Sequence, residues 1–213
     1  MTVKIESSKN LWVWSDIHFQ HKNLCRGVSS WGDHIEDPQE REEYLSHECR
    51  DFDTLEEMDQ AILDSGNIIS DEDVVIFCGD LVFGDKEAGW KKLVNRFNFK
   101  NWIWVLGNHD HDWINKSAHA GKKEEFMFVG DYCEVSYRKQ RMCCFHYPMK
   151  EWNKRSKGAW AITGHSHGNV PYTDGELGLD VGWDIFQRPL AFEEVNDIMS
   201  RKKPINIGHH GSR

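Results

Sequence analysis

Five short apolar runs in this sequence are each followed closely by residues able to bind a metal ion. Leu11 to Trp14 leads into Ser15-Asp16-Ile17-His18, and Val74 to Cys78 into Gly79-Asp80. Trp102 to Leu106 leads into Gly107-Asn108-His109-Asp110, and Met142 to Phe145 into His146. Ala159 to Ile162 leads, through Thr163, into Gly164-His165-Ser166-His167. Carboxylate, imidazole and amide oxygen are donors suited to manganese, iron, zinc, cobalt or nickel, and no thiolate is required. Two such ions about 3.5–4 Å apart can clamp a phosphate and lower the pKa of a water between them. Cations that close repel one another, so a shared carboxylate is needed. Asp80, on a central turn, is the natural candidate for it.

Elements must bring these residues together. The runs are short and rich in β-branched and aromatic residues, which predicts strands. Ligands placed just after strands gather outside the carboxyl ends of a sheet, where sites of open α/β folds lie. Asp16 and His18 stand two apart, as do His165 and His167, so in an extended stretch each pair points the same way. The glycines before Asp80, Asn108 and His165 let the backbone turn sharply beside a ligand. Between the runs, Thr54 to Leu63 reads as a helix with Leu55, Met58 and Ile62 on one face, Asp53 as its cap and Gly66 closing it. A second helix is expected over Lys86 to Phe97. Apolar runs alternating with helix-like segments indicate an α/β domain. Trp12, Trp14, Trp102 and Trp104 are expected in sheet packing rather than base stacking.

The 213 residues fit one domain, read as 1–200 with an insertion or lid at 31–50 and a short helix around Arg41 to His47. Residues 201–213 read as a basic, loosely ordered tail carrying the His209-His210 pair. No apolar run approaches the length of a membrane span, and MTVKIESSKN lacks the apolar core of a signal peptide. The expectation is therefore a cytoplasmic protein without a membrane partner. None of the six cysteines forms a C-x-x-C pair, which favours reduced thiols. A net charge of −9 does not advertise a broad nucleic-acid surface, although bound cations would supply positive charge where a phosphate sits.

Taken in order, Asp16-x-His18, Gly79-Asp80, Gly107-Asn108-His109-Asp110, His146 and Gly164-His165-x-His167 resemble the calcineurin-like metallophosphoesterases. The resemblance runs from about Trp12 to Asp184 and is strongest to small bacterial and phage members, in Ser15-Asp16-Ile17-His18-Phe19, His21-Lys22-Asn23, Phe145-His146-Tyr147-Pro148 and Leu179-Asp180-Val181-Gly182. It implies two packed mixed β-sheets flanked by helices, a four-layer α/β/β/α sandwich. It also implies two divalent cations, manganese first, with iron, zinc, nickel or cobalt as alternatives. Asp16, His18 and His167 would bind one, Asn108, His146 and His165 the other, with Asp80 bridging. His109 would contact the phosphate and protonate the leaving oxygen, and Asp110 would orient His109. The implied reaction is phosphoester hydrolysis by a metal-activated water. Phosphodiesterase or nuclease action, nucleotide monoester cleavage and protein phosphatase action share such a centre, and the modest lid at 31–50 favours a phosphodiester or nucleotide-type ester, as a small molecule or a nucleic-acid end, over a large protein substrate.

Singly, Asp-x-His, Gly-Asp and His-x-His occur in many chains, and the ordered set carries the reading. His21, Asn23 and Arg26 are candidates to line the phosphate pocket, with capping or surface roles as the alternative. Tyr147 is a candidate neighbour of the site. Lys150, Lys154, Arg155 and Lys157 read as a solvated loop rather than a substrate surface. The rival classes are a non-catalytic interaction module on the same fold, which should have lost a ligand, and a two-metal amide hydrolase.

Overall fold

Two five-stranded sheets pack face to face in a computed structural model that describes residues 2–111 and 126–203. His119 and the expected tail from residue 204 onward, with His209 and His210, lie outside the described residues. The first sheet runs, in spatial order, β10 (Leu190–Ala191), β2 (Leu11–Trp14), β3 (Val74–Phe77), β4 (Asn101–Val105) and β5 (Phe128–Gly130). The second runs β1 (Thr2–Lys4), β6 (Tyr132–Tyr137), β7 (Gln140–Phe145), β8 (Trp160–Thr163) and β9 (Gly178–Asp180). Among the described residues β10 with β2 and β6 with β7 are antiparallel; the other neighbours are parallel. Both sheets are mixed, as the sequence resemblance implied.

The central strands alternate between two cores, as a pleat buried on both faces requires. Leu11, Val13, Val74, Ile76, Ile103 and Val105 face the second sheet, where Val135, Met142, Cys144, Trp160 and Ile162 meet them. Trp14, Val75, Phe77, Trp102 and Trp104 face the other way, onto a helical layer. The tryptophans thus pack the sheet, as expected, and do not stand free to stack a base.

The helical layer is α2 (Leu55–Gly66) and α3 (Lys86–Arg96), which contribute Met58, Ile62, Leu63, Trp90 and Leu93 to that core. α2 is capped by Thr54 rather than by Asp53. The Thr54 hydroxyl accepts from Glu57 N and the Glu57 carboxylate from Thr54 N, a reciprocal box. Gly66 lies inside the last turn rather than beyond it, and its lack of a side chain admits the Phe97 ring, which a β-carbon there would meet at 2.3 Å. α1 (Pro38–Glu48) is longer than the short helix expected there. Asp37 caps it and Pro38 occupies its first turn, and Leu45 is its buried residue. α4 (Trp183–Phe186) follows β9, and α5 (Phe192–Arg201) packs Phe192, Val195 and Met199 into the core between the sheets. α5 extends through Arg201, and the Lys202 ammonium donates to the Gly178 carbonyl, so residues 201–203 are anchored rather than part of a tail.

Candidate metal centre

β2, β3 and β4 run into Asp16, Asp80 and Asn108, while β7 and β8 of the other sheet run into His146, His165 and His167. The loops keep pairing beyond the strands. Cys78 N donates to Trp14 O at 2.8 Å, Asp16 N to Gly79 O at 3.0 Å and His18 N to Asp80 O at 3.1 Å. Five of the expected ligands sit in the left-handed region: Asp16 (φ 53°), His18 (48°), Asp80 (59°), His165 (70°) and His167 (48°). Such conformations cost about 1–3 kcal/mol each and persist where the surroundings over-determine them, typically at functional sites.

The backbones approach too closely for ordinary side chains at three turns. At Gly79 (φ 98°) a β-carbon would meet His146 Nδ1 at 2.5 Å, at Gly107 Asp80 Oδ1 at 2.1 Å and at Gly164 Asp16 Oδ2 at 2.2 Å. The glycines before the ligands therefore do what the sequence reading asked of them.

Two sets of ligand atoms emerge. Asp16, His18 and His167 each place one donor atom within 4.8 Å of the others, and so do Asp80, His146 and His165. Asp80 Oδ2 stands between the sets, 3.7 Å from His18 Nε2 and 3.5 Å from His146 Nε2. Asn108 Oδ1 lies 3.0 Å from His146 Nε2. All seven residues expected as ligands thus converge on one place.

Their donors fit cations. The Cys78 carbonyl accepts from His146 Nδ1 at 2.7 Å, so Nε2, which faces the Asp80 carboxylate and the Asn108 amide oxygen, is the nitrogen that would give up its proton to bind a cation. Likewise the Asp184 carboxylate accepts from His167 Nδ1 at 2.5 Å and leaves Nε2 free as a ligand. Asp16 Oδ1 and both ring nitrogens of His18 are buried without a hydrogen-bond partner. An orphaned buried polar atom costs about 1–3 kcal/mol, and a cation against Asp16 Oδ1 and the unprotonated ring nitrogen of His18 would remove that cost at both atoms.

Charges respond to the same crowding. Burial raises the Asp16 carboxyl to about 7 and drives the His18 imidazole well below its usual value. Burial also opposes a charged His146, yet the Asp80 carboxylate overcomes it and lifts the ring to about 9. In return, the His146 hydrogen bond and charge outweigh burial at Asp80 and hold its carboxyl far below the ordinary range. Burial with help from His146 lowers His165, and at His167 the Asp184 hydrogen bond overcomes burial and raises it. Asp184 is itself held low, since His167 and Arg50 outweigh its burial.

The neighbours are placed as follows. The His109 side chain is 41% exposed, and its Nε2 lies 3.9 Å from Asp80 Oδ2. The Lys86 ammonium donates to the His109 carbonyl. Asp110 does not orient the His109 ring. Its carboxylate is filled by donors from Asp80 N (2.8 Å), Leu81 N (3.1 Å), Gly107 N (2.9 Å) and Trp104 Nε1 (3.3 Å), so it fixes the Asp80 turn instead. Burial, and then the Asp80 charge, raise its pKa.

Arg26 is paired with Asp51 and Glu42, and the Asn23 amide oxygen accepts from Ser30 N and Oγ, so both follow their structural alternative. His21 Nδ1 accepts from Leu24 N as a cap, while its ring packs on Phe83 and edge-on to His18, at the border of the site. Burial lowers its pKa to about 4. Tyr147 lies edge-on to His165 with ring centroids 4.5 Å apart. Within the basic cluster, Arg155 is paired with Glu151 and Glu176.

Sequence reasoning missed Arg50 and Asp184 as supports of the site. Asp184 follows Leu179-Asp180-Val181-Gly182, a stretch already singled out, so its position carried a signal. Arg50 sits 134 residues from its partner Asp184, and no local pattern marks it.

Two packed mixed sheets with flanking helices, and candidate ligands at the strand ends of both sheets, define a metallophosphoesterase-type architecture. Residues 9–211 match the calcineurin-like phosphoesterases, and the chain belongs to that family. It is 24% identical over 166 residues to the uncharacterized protein MJ1445 of Methanocaldococcus jannaschii, a match covering 76% of this chain and 72% of the relative. The crystal structure of AQ665, a protein of unknown function from Aquifex aeolicus, superposes with a TM-score of 0.57 at 18% identity. That match covers 89% of this chain and 99% of the other, and speaks to the fold.

Proposed function

We propose that this protein hydrolyses phosphate esters at a pair of divalent cations, manganese foremost, and that its substrate is a phosphodiester or nucleotide-type ester. The observation that carries the reading is two adjoining three-residue donor sets, with the Asp80 carboxylate of one also close to His18 of the other, and buried, unpartnered donor atoms at Asp16 and His18. Asp16, His18 and His167 would hold one cation, Asn108, His146 and His165 the other, and Asp80 both. Bound there, the cations supply Lewis acidity and lower the pKa of a coordinated water toward neutrality.

The chain's own groups do the rest. His146 and His167 keep their Nδ1 protons on the Cys78 carbonyl and the Asp184 carboxylate, which fixes their rings. His109, exposed beside Asp80, offers the proton that the departing alkoxide takes. The Asn108 side-chain amide would donate to the equatorial oxygens of the phosphoryl group as charge builds there. No side chain acts as nucleophile, so no phosphoenzyme forms. The six cysteines are free thiols, consistent with a reducing compartment such as the cytoplasm.

The test is a panel of aryl mono- and diesters, cyclic nucleotides, nucleotides and nucleic acids with several metals. Metal-dependent hydrolysis, strongest on diesters or nucleotides, is expected. Two bound ions with no hydrolysis of any phosphoester would instead identify an interaction module.

A further inference from the structure

We propose that Arg50 is a positioning residue for one cation site alone, setting Asp16, His18 and His167 through Asp184 and the backbone while the other ligand set is held by different groups. The inference rests on the two-cation reading above and asks how each half is kept in place.

Arg50 closes the 31–50 segment and is 7% exposed. Its guanidinium forks onto Asp184, Nε to Oδ1 at 2.7 Å and Nη2 to Oδ2 at 3.1 Å. Nη2 also donates to the Asp16 carbonyl at 2.7 Å and Nη1 to the Ile17 carbonyl at 2.7 Å, and the group lies over the Trp183 ring. Each contact leads to the same ligand set. The Asp16 and Ile17 carbonyls belong to the peptides that carry Asp16 and His18 in their left-handed conformations. Asp184 accepts the His167 Nδ1 proton and aims Nε2 into the site. The other set has supports that do not pass through Arg50: Cys78 O holds His146, and Asp110 holds the Asp80 turn and Gly107. The bonds that join the two sets, Asp16 N to Gly79 O, His18 N to Asp80 O and His165 N to Asp16 Oδ2 at 2.9 Å, do not involve Arg50 either.

A planar fork is needed for four such bonds in one plane, and a lysine cannot make them. A buried cation next to a metal site would ordinarily repel the ion. The Asp184 carboxylate, shared between Arg50 and His167, offsets that charge. The 31–50 segment, read from sequence as an insertion or lid, is thereby tied to the metal centre at its last residue.

The test measures Mn²⁺ binding by calorimetry and electron paramagnetic resonance in two backgrounds. In His146→Ala, which retains the Asp16–His18–His167 set, adding Arg50→Lys or Asp184→Asn should weaken the remaining ion about 10- to 100-fold. In His18→Ala, which retains the other set, the same changes should leave the remaining affinity within about 2-fold. Thermal melting identifies folded variants, and if Arg50→Lys does not fold, Asp184→Asn decides, since it leaves the two backbone bonds of Arg50 in place. Equal weakening in both backgrounds, or none in either, would overturn the assignment. A wild-type chain that binds fewer than two ions would instead overturn the two-cation reading, and this inference with it.

Discussion

His109 and Gly164 put the chemistry and the geometry of the site to separate tests at the scale of single residues. His109→Ala should leave Mn²⁺ stoichiometry intact and slow turnover of an unactivated ester by about 10²- to 10⁴-fold, the usual worth of a positioned acid. An aryl ester with a good leaving group should suffer far less, because it needs little protonation. Full-speed turnover of the unactivated ester would remove His109 from the mechanism. Gly164→Ala acts on position rather than protons. Its β-carbon would come within 2.0 Å of Ser15 Oγ and 2.2 Å of Asp16 Oδ2, so Asp16 or its loop must shift. Loss of one of two bound Mn²⁺ ions in a folded protein is the expected result, and unchanged binding would show that the close approach is not needed. Residues whose chemistry is unusual at their spacing, such as Asp16, His18 and His146, were legible in the sequence. Asp110 was legible in place but not in role. Its neighbour in sequence is His109, yet its carboxylate is used by donors that the fold brings from the Asp80 turn.

At the scale of elements, the register of β2 against β3 decides whether Asp16 and Asp80 meet. Leu11 pairs with Val74 and Trp14 with Phe77. Asp73 pins the start of that pairing, its carboxylate accepting from Asn10 Nδ2 at 3.0 Å, Trp12 Nε1 at 2.9 Å and Ser70 N at 3.2 Å. Asp73→Ala should cost about 1–3 kcal/mol by leaving these donors unsatisfied. Burial would raise the Asp73 pKa, but the bonds from Trp12, Ser70 and Asn10 outweigh it and hold the carboxyl below its ordinary value. A depressed folded-state pKa gives stability that is full above the unfolded value, near 3.9, and is lost as pH falls through the folded one. The stability gap between wild type and Asp73→Asn should therefore narrow from about pH 5 downward in urea unfolding; a gap that widened with acid would contradict the sign. The strands that abut ligands were readable because apolar runs ended in metal donors. β6 escaped notice because its Tyr-Cys-Glu-Val-Ser-Tyr pattern is half polar, one face covering the core and the other exposed to varying degrees. β1, β9 and β10 are two or three residues long and gain definition only from their partners. α1 was underestimated because it carries one buried residue, Leu45, and so has little apolar period to read.

For the whole molecule, the placement of the ligands makes metal binding and folding one problem. Asp16, His18, Asp80 and Asn108 come from the first sheet, and His146, His165 and His167 from the second. Cations held between them would add to the ties between two sheets joined by apolar packing, such as Val13, Ile76 and Ile103 against Val135, Met142 and Ile162, and by hydrogen bonds such as His146 Nδ1 to the Cys78 carbonyl. An ion that binds only the folded chain stabilises it by RT ln(1 + [L]/Kd), about 2.7 kcal/mol at a hundredfold excess over Kd. In a domain of this size that corresponds to a rise in Tm of roughly 5–10 °C. Removing metal with a chelator should lower the melting temperature by that order, and adding Mn²⁺ should restore it with a shift that grows with the logarithm of free metal. His18→Ala and His146→Ala should each keep part of the shift, since each leaves one ligand set whole, whereas a variant carrying both should show almost none. A chelated protein that melts at the same temperature as the Mn²⁺-loaded one would mean that no ion bridges the sheets, whatever the activity assay reports.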